Sequence, residues 1–295
     1  MGLREFLRRL SLFARRVYTR AERAAFSVTM VAVALSFCGA GCSGMPYPAS
    51  SEPGSLPVGV AASSVAIAPV SAPAGHWFVA SHGNVTAHVF KYDGNVGRDP
   101  ADVAAGWDRS FREVATALGA ERTPSNVRVD GFLYPDAPSF MLTTGDTRAI
   151  EGFAIPWLRQ FHVIDRDDAA VTAKHEMTHI LSYLTFGHAG TTAMDEGLAV
   201  AVAGWSTSSL REQVADLRRD GELLPVSDLI AGFRSEPATV AYPEMGSFVR
   251  YLDERRGPAT LARLYASTDP DSDFSRLYGE SIAQAEQRWL ETLAS

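Results

Sequence analysis

The sequence predicts an α+β fold in which a strand-rich front lobe precedes a mostly helical back lobe. In residues 76–168, short runs alternate between apolar and polar side chains, which is the pattern of half-buried strands. In residues 169–295, apolar side chains recur every three or four positions, which is the pattern of amphipathic helices. The chain has 295 residues and is 46% apolar, so it is long enough to fill the core of one large domain or two small ones.

The first 42 residues have the composition of an export signal. Seven arginines and two glutamates come first, and residues 26–40 are uncharged and mostly apolar. This apolar run is shorter than the roughly 20 residues that span a bilayer, and small residues precede Cys42, as in a bacterial lipoprotein cleavage site. We predict lipidation of Cys42; ordinary signal cleavage and an uncleaved N-terminal anchor are the alternatives. All three predict a cell-envelope protein outside the cytoplasm, and a lipid or an anchor would give it membrane contact.

The rest of the chain is acidic and contains no cysteine. Both cysteines, Cys38 and Cys42, belong to the leader, which excludes disulfides, thiolate metal ligands and a cysteine nucleophile from the remainder. Without its first 42 residues the chain keeps 20 basic and 32 acidic residues, a net charge of −12. Such an acidic body argues against a nucleic-acid partner.

Residues 43–75 are rich in proline, serine, alanine and glycine, and we predict a flexible tether there, with an edge strand over residues 58–70 as the alternative. Residues 76–295 then form the folded domain. In its front lobe, turn chemistry at Gly83 and Asn84 predicts a hairpin. The strands of this lobe are predicted at 76–80, 86–92, 124–134, 152–155 and 161–164, with a helix at 99–118.

The helical lobe is predicted to begin with a helix that ends at Gly187. Asp165, Asp167 or Asp168 can cap the start of this helix. Thr192 is predicted to cap the next helix, which runs from 193 to about 205. Further helices are predicted at 208–219, 244–256 and 258–266, and from Ser281, where Gln284 completes a capping box.

Residues 175–179 (His-Glu-Met-Thr-His) carry the clearest chemical signal. In a helix, His175 and His179 lie one turn apart and about 40° apart on one face, so both imidazoles can reach a single metal ion. Glu176 lies beside them without being a ligand. Two neutral nitrogen ligands with an adjacent carboxylate are what a zinc hydrolase needs to deprotonate a metal-activated water.

A third ligand is predicted from the following helix. Sixteen residues separate His179 from Glu196, so a helix–turn–helix could return this carboxylate to the two histidines. Its neighbour Asp195 is the rival ligand. Helix phase favours Glu196, and Asp195 can instead accept the free N–H of a ligand histidine. No histidine stands at position 185, so the three-histidine pattern is absent and His188 is predicted to be a loop residue.

These residues resemble a known family. The matching segments are residues 175–179, 195–199 (Asp-Glu-Gly-Leu-Ala), 242–252, 257–265 and 278–289. They are similar to the gluzincin zinc metallopeptidases, and more narrowly to the peptidase-MA-like group. The resemblance spans residue 76 to the end of the chain. It implies a zincin-like (thermolysin-like) fold, one Zn²⁺ ion and a peptide or protein substrate.

The resemblance also implies roles for individual residues. Glu176 would be the general base, and a downstream tyrosine would stabilise the oxyanion of the tetrahedral intermediate. Tyr242 is the candidate for this second role, and Tyr251 is its rival. An edge strand at residues 152–156 would line the substrate cleft.

The predicted function is therefore a zinc-dependent peptidase. Two other functions use the same residues: a non-catalytic zinc-binding envelope lipoprotein or scaffold, and a zinc hydrolase that cleaves a non-peptide amide. No sequence motif specifies a substrate side chain, a bound peptide terminus or an oligomeric state.

Overall fold

A computed structural model describes residues 75–95, 97–119, 126–146, 148, 150–204 and 209–293. The leader at residues 1–42, the lipidation predicted at Cys42 and the tether at residues 43–74 lie outside the described residues. Gly75, predicted as the end of the tether, is the first residue of a strand. No helix in the described ranges is both long and apolar enough to cross a bilayer.

The front of the described chain forms a five-stranded mixed sheet with the order β1-β2-β3-β5-β4. The two edge strands, β1 and β4, run antiparallel to their neighbours, whereas the two inner pairings are parallel. The strands are β1 (Gly75–His82), β2 (Val85–Tyr92), β3 (Val129–Tyr134), β4 (Gly152–Ile155) and β5 (Gln160–Ile164).

Ten α-helices are present among the described residues. They are α1 (Pro100–Ala117), α2 (Ala137–Thr144), α3 (Ala169–Phe186), α4 (Thr192–Ala203), α5 (Leu210–Arg219), α6 (Val226–Gly232), α7 (Ala238–Arg256), α8 (Pro258–Tyr265), α9 (Pro270–Tyr278) and α10 (Ile282–Thr292). Single 3₁₀ turns follow β4, at Pro156–Leu158, and α6, at Phe233–Ser235.

One face of the sheet packs against α1 and α3. Strand β2 alternates buried and half-buried residues, as a period of two requires. Across this core, Trp107 of α1 meets Phe161 of β5 edge to face, with ring centroids 4.8 Å apart. A methyl group at Gly131 would lie 2.4 Å from both rings, so only glycine fits between them. The sheet thereby holds α3, which carries the two predicted histidine ligands.

The second predicted ligand helix, α4, follows α3 after a short connection. Gly187 ends α3 with a φ of 89°, a conformation that glycine adopts readily. The hydroxyl of Thr191 accepts a hydrogen bond from the backbone N–H of Met194 and caps α4. On its far side, α4 packs closely against α7, where Gly197 and Gly246 allow the two backbones to approach.

The α+β prediction is confirmed, since the five described strands precede a mainly helical part. Several details differ from the sequence prediction. Strand β3 begins at Val129, whereas the strand was predicted from residue 124. Asp168 occupies the N-cap of α3, but its side chain makes no capping hydrogen bond.

The cap of α4 is Thr191 and not Thr192. Helix α7 begins at Ala238, six residues before the predicted start, so Tyr242 lies inside it and not before it. Three helices of seven to nine residues, α2, α6 and α9, were not predicted.

Candidate metal centre

Helices α3 and α4 bring the three predicted ligand residues together. The Nε2 atoms of His175 and His179 are 3.2 Å apart, and Oε2 of Glu196 lies 3.2 Å from the first and 3.6 Å from the second. The side chains of the three residues are only 12%, 11% and 9% exposed, respectively. Among the described residues, these three form the only group of histidine, cysteine or acidic side chains close enough to share a metal ion.

The spacing of these three atoms fits a tetrahedral zinc ion. With zinc–nitrogen and zinc–oxygen distances of about 2.0–2.2 Å, two ligand atoms of a tetrahedron lie about 3.3–3.6 Å apart. The measured separations of 3.2, 3.2 and 3.6 Å lie close to this range. Two imidazoles with one carboxylate are also a donor set that zinc accepts, and three protein ligands leave a fourth position for water or substrate.

Asp195 lies behind His179, where the sequence prediction placed a supporting carboxylate. Its Oδ1 is 3.1 Å from Nδ1 of His179, the ring nitrogen that faces away from Glu196. This ion-pair contact is not aligned as a straight hydrogen bond, and Nδ1 has no other partner among the described residues. Oδ1 also accepts a 2.6 Å hydrogen bond from the hydroxyl of Tyr265. A carboxylate held in this way fixes the orientation of the imidazole.

Charge interactions within the cluster shift several pKa values. Burial alone would lower the pKa of His179, but the carboxylates of Asp195 and Glu196 raise it well above its ordinary value. Burial opposes ionisation of Glu196, yet His175 and His179 hold its pKa well below the usual range. Burial likewise opposes ionisation of Asp195, but the charge of His179 lowers the pKa of this carboxyl. Both carboxylates therefore stay ionised at neutral pH and give the centre a negative field that favours a cation.

Glu176 is buried immediately beside the cluster. Its side chain packs near β4, since a methyl group at Gly152 would lie 3.3 Å from its Cγ. Burial raises the pKa of Glu176, and His175 and His179 only partly offset that effect. A carboxylate whose pKa is raised binds a proton more strongly, and so is a better proton acceptor, than an ordinary glutamate.

Tyr242 faces the same cluster from α7. Its ring lies 6.3 Å from that of His175, and it packs edge to face on Phe233 at 5.0 Å. Burial, together with the negative charge of Glu196, raises the pKa of Tyr242 to about 12, so its hydroxyl keeps its proton. The rival, Tyr251, packs against Phe248 and under the guanidinium of Arg255, and no described contact joins it to the cluster.

The structure adds one charged residue that the sequence did not suggest. Nη2 of Arg234, in the 3₁₀ turn before α7, donates a 2.8 Å hydrogen bond to Oε1 of Glu196. No spacing or composition signal marks an arginine 38 positions beyond the carboxylate that it contacts. His188, predicted as a loop residue, lies against the ring of Tyr183 and not in the cluster.

Comparisons with known proteins give distant structural likenesses only. No family model matches the chain, and no curated protein matches it. Among solved structures, the chain is similar to an M1 zinc metallopeptidase from Deinococcus radiodurans, a mutant bound to a Tyr-Ser-Ala substrate, with 17% sequence identity and a TM-score of 0.42. The match covers 74% of this chain and 52% of that protein, so the chain spans about half its length.

Proposed function

We propose that this protein is a zinc-dependent peptidase with a gluzincin-type centre and a zincin-like fold. The observation that carries the proposal is the triangle of ligand atoms from His175, His179 and Glu196, with sides of 3.2–3.6 Å and side chains about nine-tenths buried. An ion held there would be Zn²⁺, because two imidazoles and one carboxylate suit this metal.

The formal charges of the centre also favour a divalent cation. Glu176, Asp195 and Glu196 are three acidic groups close to the histidines, and Arg234 is the basic side chain paired with them. Histidines that bind a metal ion must be neutral. With neutral histidines and all three acids ionised, the side chains carry a local charge of two units negative. A divalent ion neutralises it, which matters most where the groups are buried.

The chain's own residues can then carry out hydrolysis of an amide bond. A bound zinc ion would polarise a coordinated water and lower its pKa toward 7. Glu176 would accept a proton from the attacking water as the water oxygen bonds to the carbonyl carbon, and it would deliver that proton to the amine nitrogen as the carbon–nitrogen bond breaks. The hydroxyl of Tyr242 donates a hydrogen bond to the carbonyl oxygen while negative charge develops there.

Strand β4 offers a place for the substrate backbone. It is an edge strand, and in the described residues only β5 pairs with it. Gly152 at its start lies against Glu176. An extended peptide that pairs with the free edge of β4 would pass beside the proton acceptor, as in the addition of a strand to an existing sheet. This arrangement supports a peptide as the substrate.

The proposal is tested by replacing the proton acceptor. We expect Glu176→Gln to lower the rate of peptide cleavage by a factor of roughly 100 or more while the zinc content is unchanged, because general base catalysis is lost and the ligands remain. Cleavage is measured on a mixed peptide library by mass spectrometry of new termini. Glu254→Gln, an exposed site on α7, is the matched control and keeps the parent rate. A Glu176→Gln variant as active as the parent contradicts the proposal, and zinc without turnover in the parent supports the non-catalytic alternative.

A further inference from the structure

Arg234 is placed next to the metal centre by the 3₁₀ turn Phe233–Ser235. Phe233 is buried in the core and packs on Tyr242, so the turn is anchored on the side that faces α7. The side chain of Arg234 is 68% exposed, yet its Nη2 reaches Oε1 of Glu196 at 2.8 Å. A mostly solvated guanidinium thereby contacts a carboxylate whose side chain is only 9% exposed.

The two oxygens of Glu196 have different partners. Oε2 faces the Nε2 atoms of His175 and His179, whereas Oε1 accepts the hydrogen bond from Arg234. A glutamate can bind a metal ion through one oxygen or through both. A hydrogen bond that occupies Oε1 favours binding through Oε2 alone, and a single-oxygen contact leaves room for water and a substrate carbonyl in a four-coordinate site.

Two effects of Arg234 oppose each other. Its positive charge repels a cation, whereas its hydrogen bond orients the carboxylate that binds the cation. The repulsion is reduced by solvent, because the side chain of Arg234 is 68% exposed. Loss of a residue that orients a metal ligand typically lowers metal affinity by about 10–100-fold. We expect orientation to outweigh repulsion, and the direction in which zinc affinity changes when Arg234 is replaced decides between the two effects.

We propose that Arg234 is a positioning residue for the metal centre, which holds Oε1 of Glu196 so that this ligand binds zinc through Oε2 alone. The inference rests on the proposed zinc site but not on turnover. Arg234 does not need to contact the ion or the substrate for this role. Its contribution is to the geometry of one ligand.

The test compares three substitutions in the full chain by competition of zinc with a chelating dye. We expect Arg234→Met, which removes the donor, to bind zinc about tenfold or more weakly than the parent. Arg234→Lys, which keeps a charged donor, should fall between the two. The control is Arg219→Met, because Arg219 is equally exposed and pairs with Asp216 on α5, away from the centre. This control should match the parent.

X-ray absorption at the zinc edge measures the number of atoms bound to zinc. A general loss of stability would not raise this number. We expect four light-atom neighbours around zinc in the parent and a higher number in Arg234→Met, since both oxygens of Glu196 become available. The inference is overturned if Arg234→Met binds zinc as tightly as the parent or more tightly, or if Arg234→Lys is no better than Arg234→Met. A parent chain that binds no zinc would instead refute the proposed function itself.

Discussion

In the proposed metal centre, neighbouring side chains hold the atoms of Glu196 and His179 that face away from the other ligands. Arg234 donates a hydrogen bond to Oε1 of Glu196, and Asp195 contacts Nδ1 of His179. Tyr265 in turn donates a hydrogen bond to Asp195. Neither ligand side chain is therefore held by its backbone alone. Such contacts reduce the freedom that the ligands would lose on binding an ion, which favours binding.

The sequence analysis named Tyr242 as the candidate for oxyanion stabilisation and Tyr251 as its rival, and the two tyrosines have different contacts in the structure. We expect Tyr242→Phe to lower kcat by roughly 10–100-fold, because it removes a donor to the developing oxyanion. The matched variant Tyr251→Phe, whose ring contacts Phe248 and Arg255, should keep kcat within about twofold. Steady-state cleavage of one library-derived peptide measures both. Equal effects of the two substitutions would refute the assignment to Tyr242.

The residues with a fixed spacing could be predicted from the sequence, and the others could not. His175, Glu176 and His179 share one helical turn, so local geometry alone places them. Glu196 required only a helix–turn–helix. Arg234 reaches the centre from a 3₁₀ turn beyond two further helices, and its contact depends on tertiary packing that no local pattern encodes.

Helices α4 and α7 set the position of the third ligand, because they pack through glycines. A methyl group at Gly246 would lie 2.3 Å from Cγ1 of Val200, and one at Gly197 would lie 2.8 Å from Cγ of Met245. At both distances the neighbouring atoms must move. The close approach of these helices keeps Glu196 opposite the histidines of α3.

Gly246→Ala is therefore expected to disturb both stability and the centre. Overpacking should lower the free energy of unfolding by about 1–3 kcal/mol, and the shift of α4 should also weaken zinc binding. Thermal unfolding and dye competition measure the two effects. At Gly106 of α1 a methyl group would meet only the guanidinium of Arg109, at 3.7 Å. Gly106→Ala should leave zinc affinity unchanged and raise stability by roughly 0.5–1 kcal/mol. A Gly246→Ala variant as stable as the parent would show that the helices separate easily.

Glu244 on α7 predicts a pH dependence of stability away from the centre. It is fully buried, and one of its oxygens accepts a hydrogen bond from the N–H of Leu224. Burial, with a smaller effect of the charge of Glu286, raises the pKa of Glu244 to about 8. The folded chain thus keeps a proton that the unfolded chain releases above about pH 4.5. The stability that this group contributes therefore falls as the pH rises from about 4.5 to about 8. Above about pH 8 its contribution changes no further.

Glu244→Gln keeps an acceptor for Leu224 and removes the titration. We expect the variant to gain stability over the parent as the pH rises from 5 to 8, by at most about 1.4 kcal/mol per pH unit. Urea unfolding at a series of pH values measures the difference. Glu254→Gln, at an exposed position of the same helix, is the control for the loss of one carboxylate from α7. A constant difference for Glu244→Gln would mean that Glu244 is ionised when folded.

Long, capped elements of this chain were predictable, and short ones were not. The capping box of Ser281 and Gln284 is present at the start of α10, as the sequence indicated. Helices α2, α6 and α9 have too few turns to show a period, although each has a proline at its N-cap or in its first turn. Helix α7 was predicted to begin at Glu244, whereas the helix continues through Pro243, although proline usually interrupts a helix.

At the scale of the whole molecule, one connected set of elements supports the proposed zinc site. It consists of the sheet, the two helices that carry the predicted ligands, and α7. The sheet holds α3 through the core around Trp107 and Phe161, and α7 holds α4 through its glycines. A metal ion that binds the folded chain but not the unfolded chain must stabilise the folded chain. The apolar periods of the sequence predicted a strand-rich front and a helical back, whereas the contacts between them depend on side-chain shapes that only the structure provides.

Zinc binding by the full chain tests the central claim most directly. Zinc bound per chain is measured after equilibrium dialysis in a zinc-buffered solution, for the parent and for His179→Ala, Glu196→Ala and His188→Ala. His188 is the matched control, because it contacts Tyr183 and lies outside the cluster. We predict one zinc ion per chain in the parent and in His188→Ala, and at least a hundredfold weaker binding in the other two. A parent without zinc, or zinc retained equally in all three variants, would contradict a centre made of His175, His179 and Glu196.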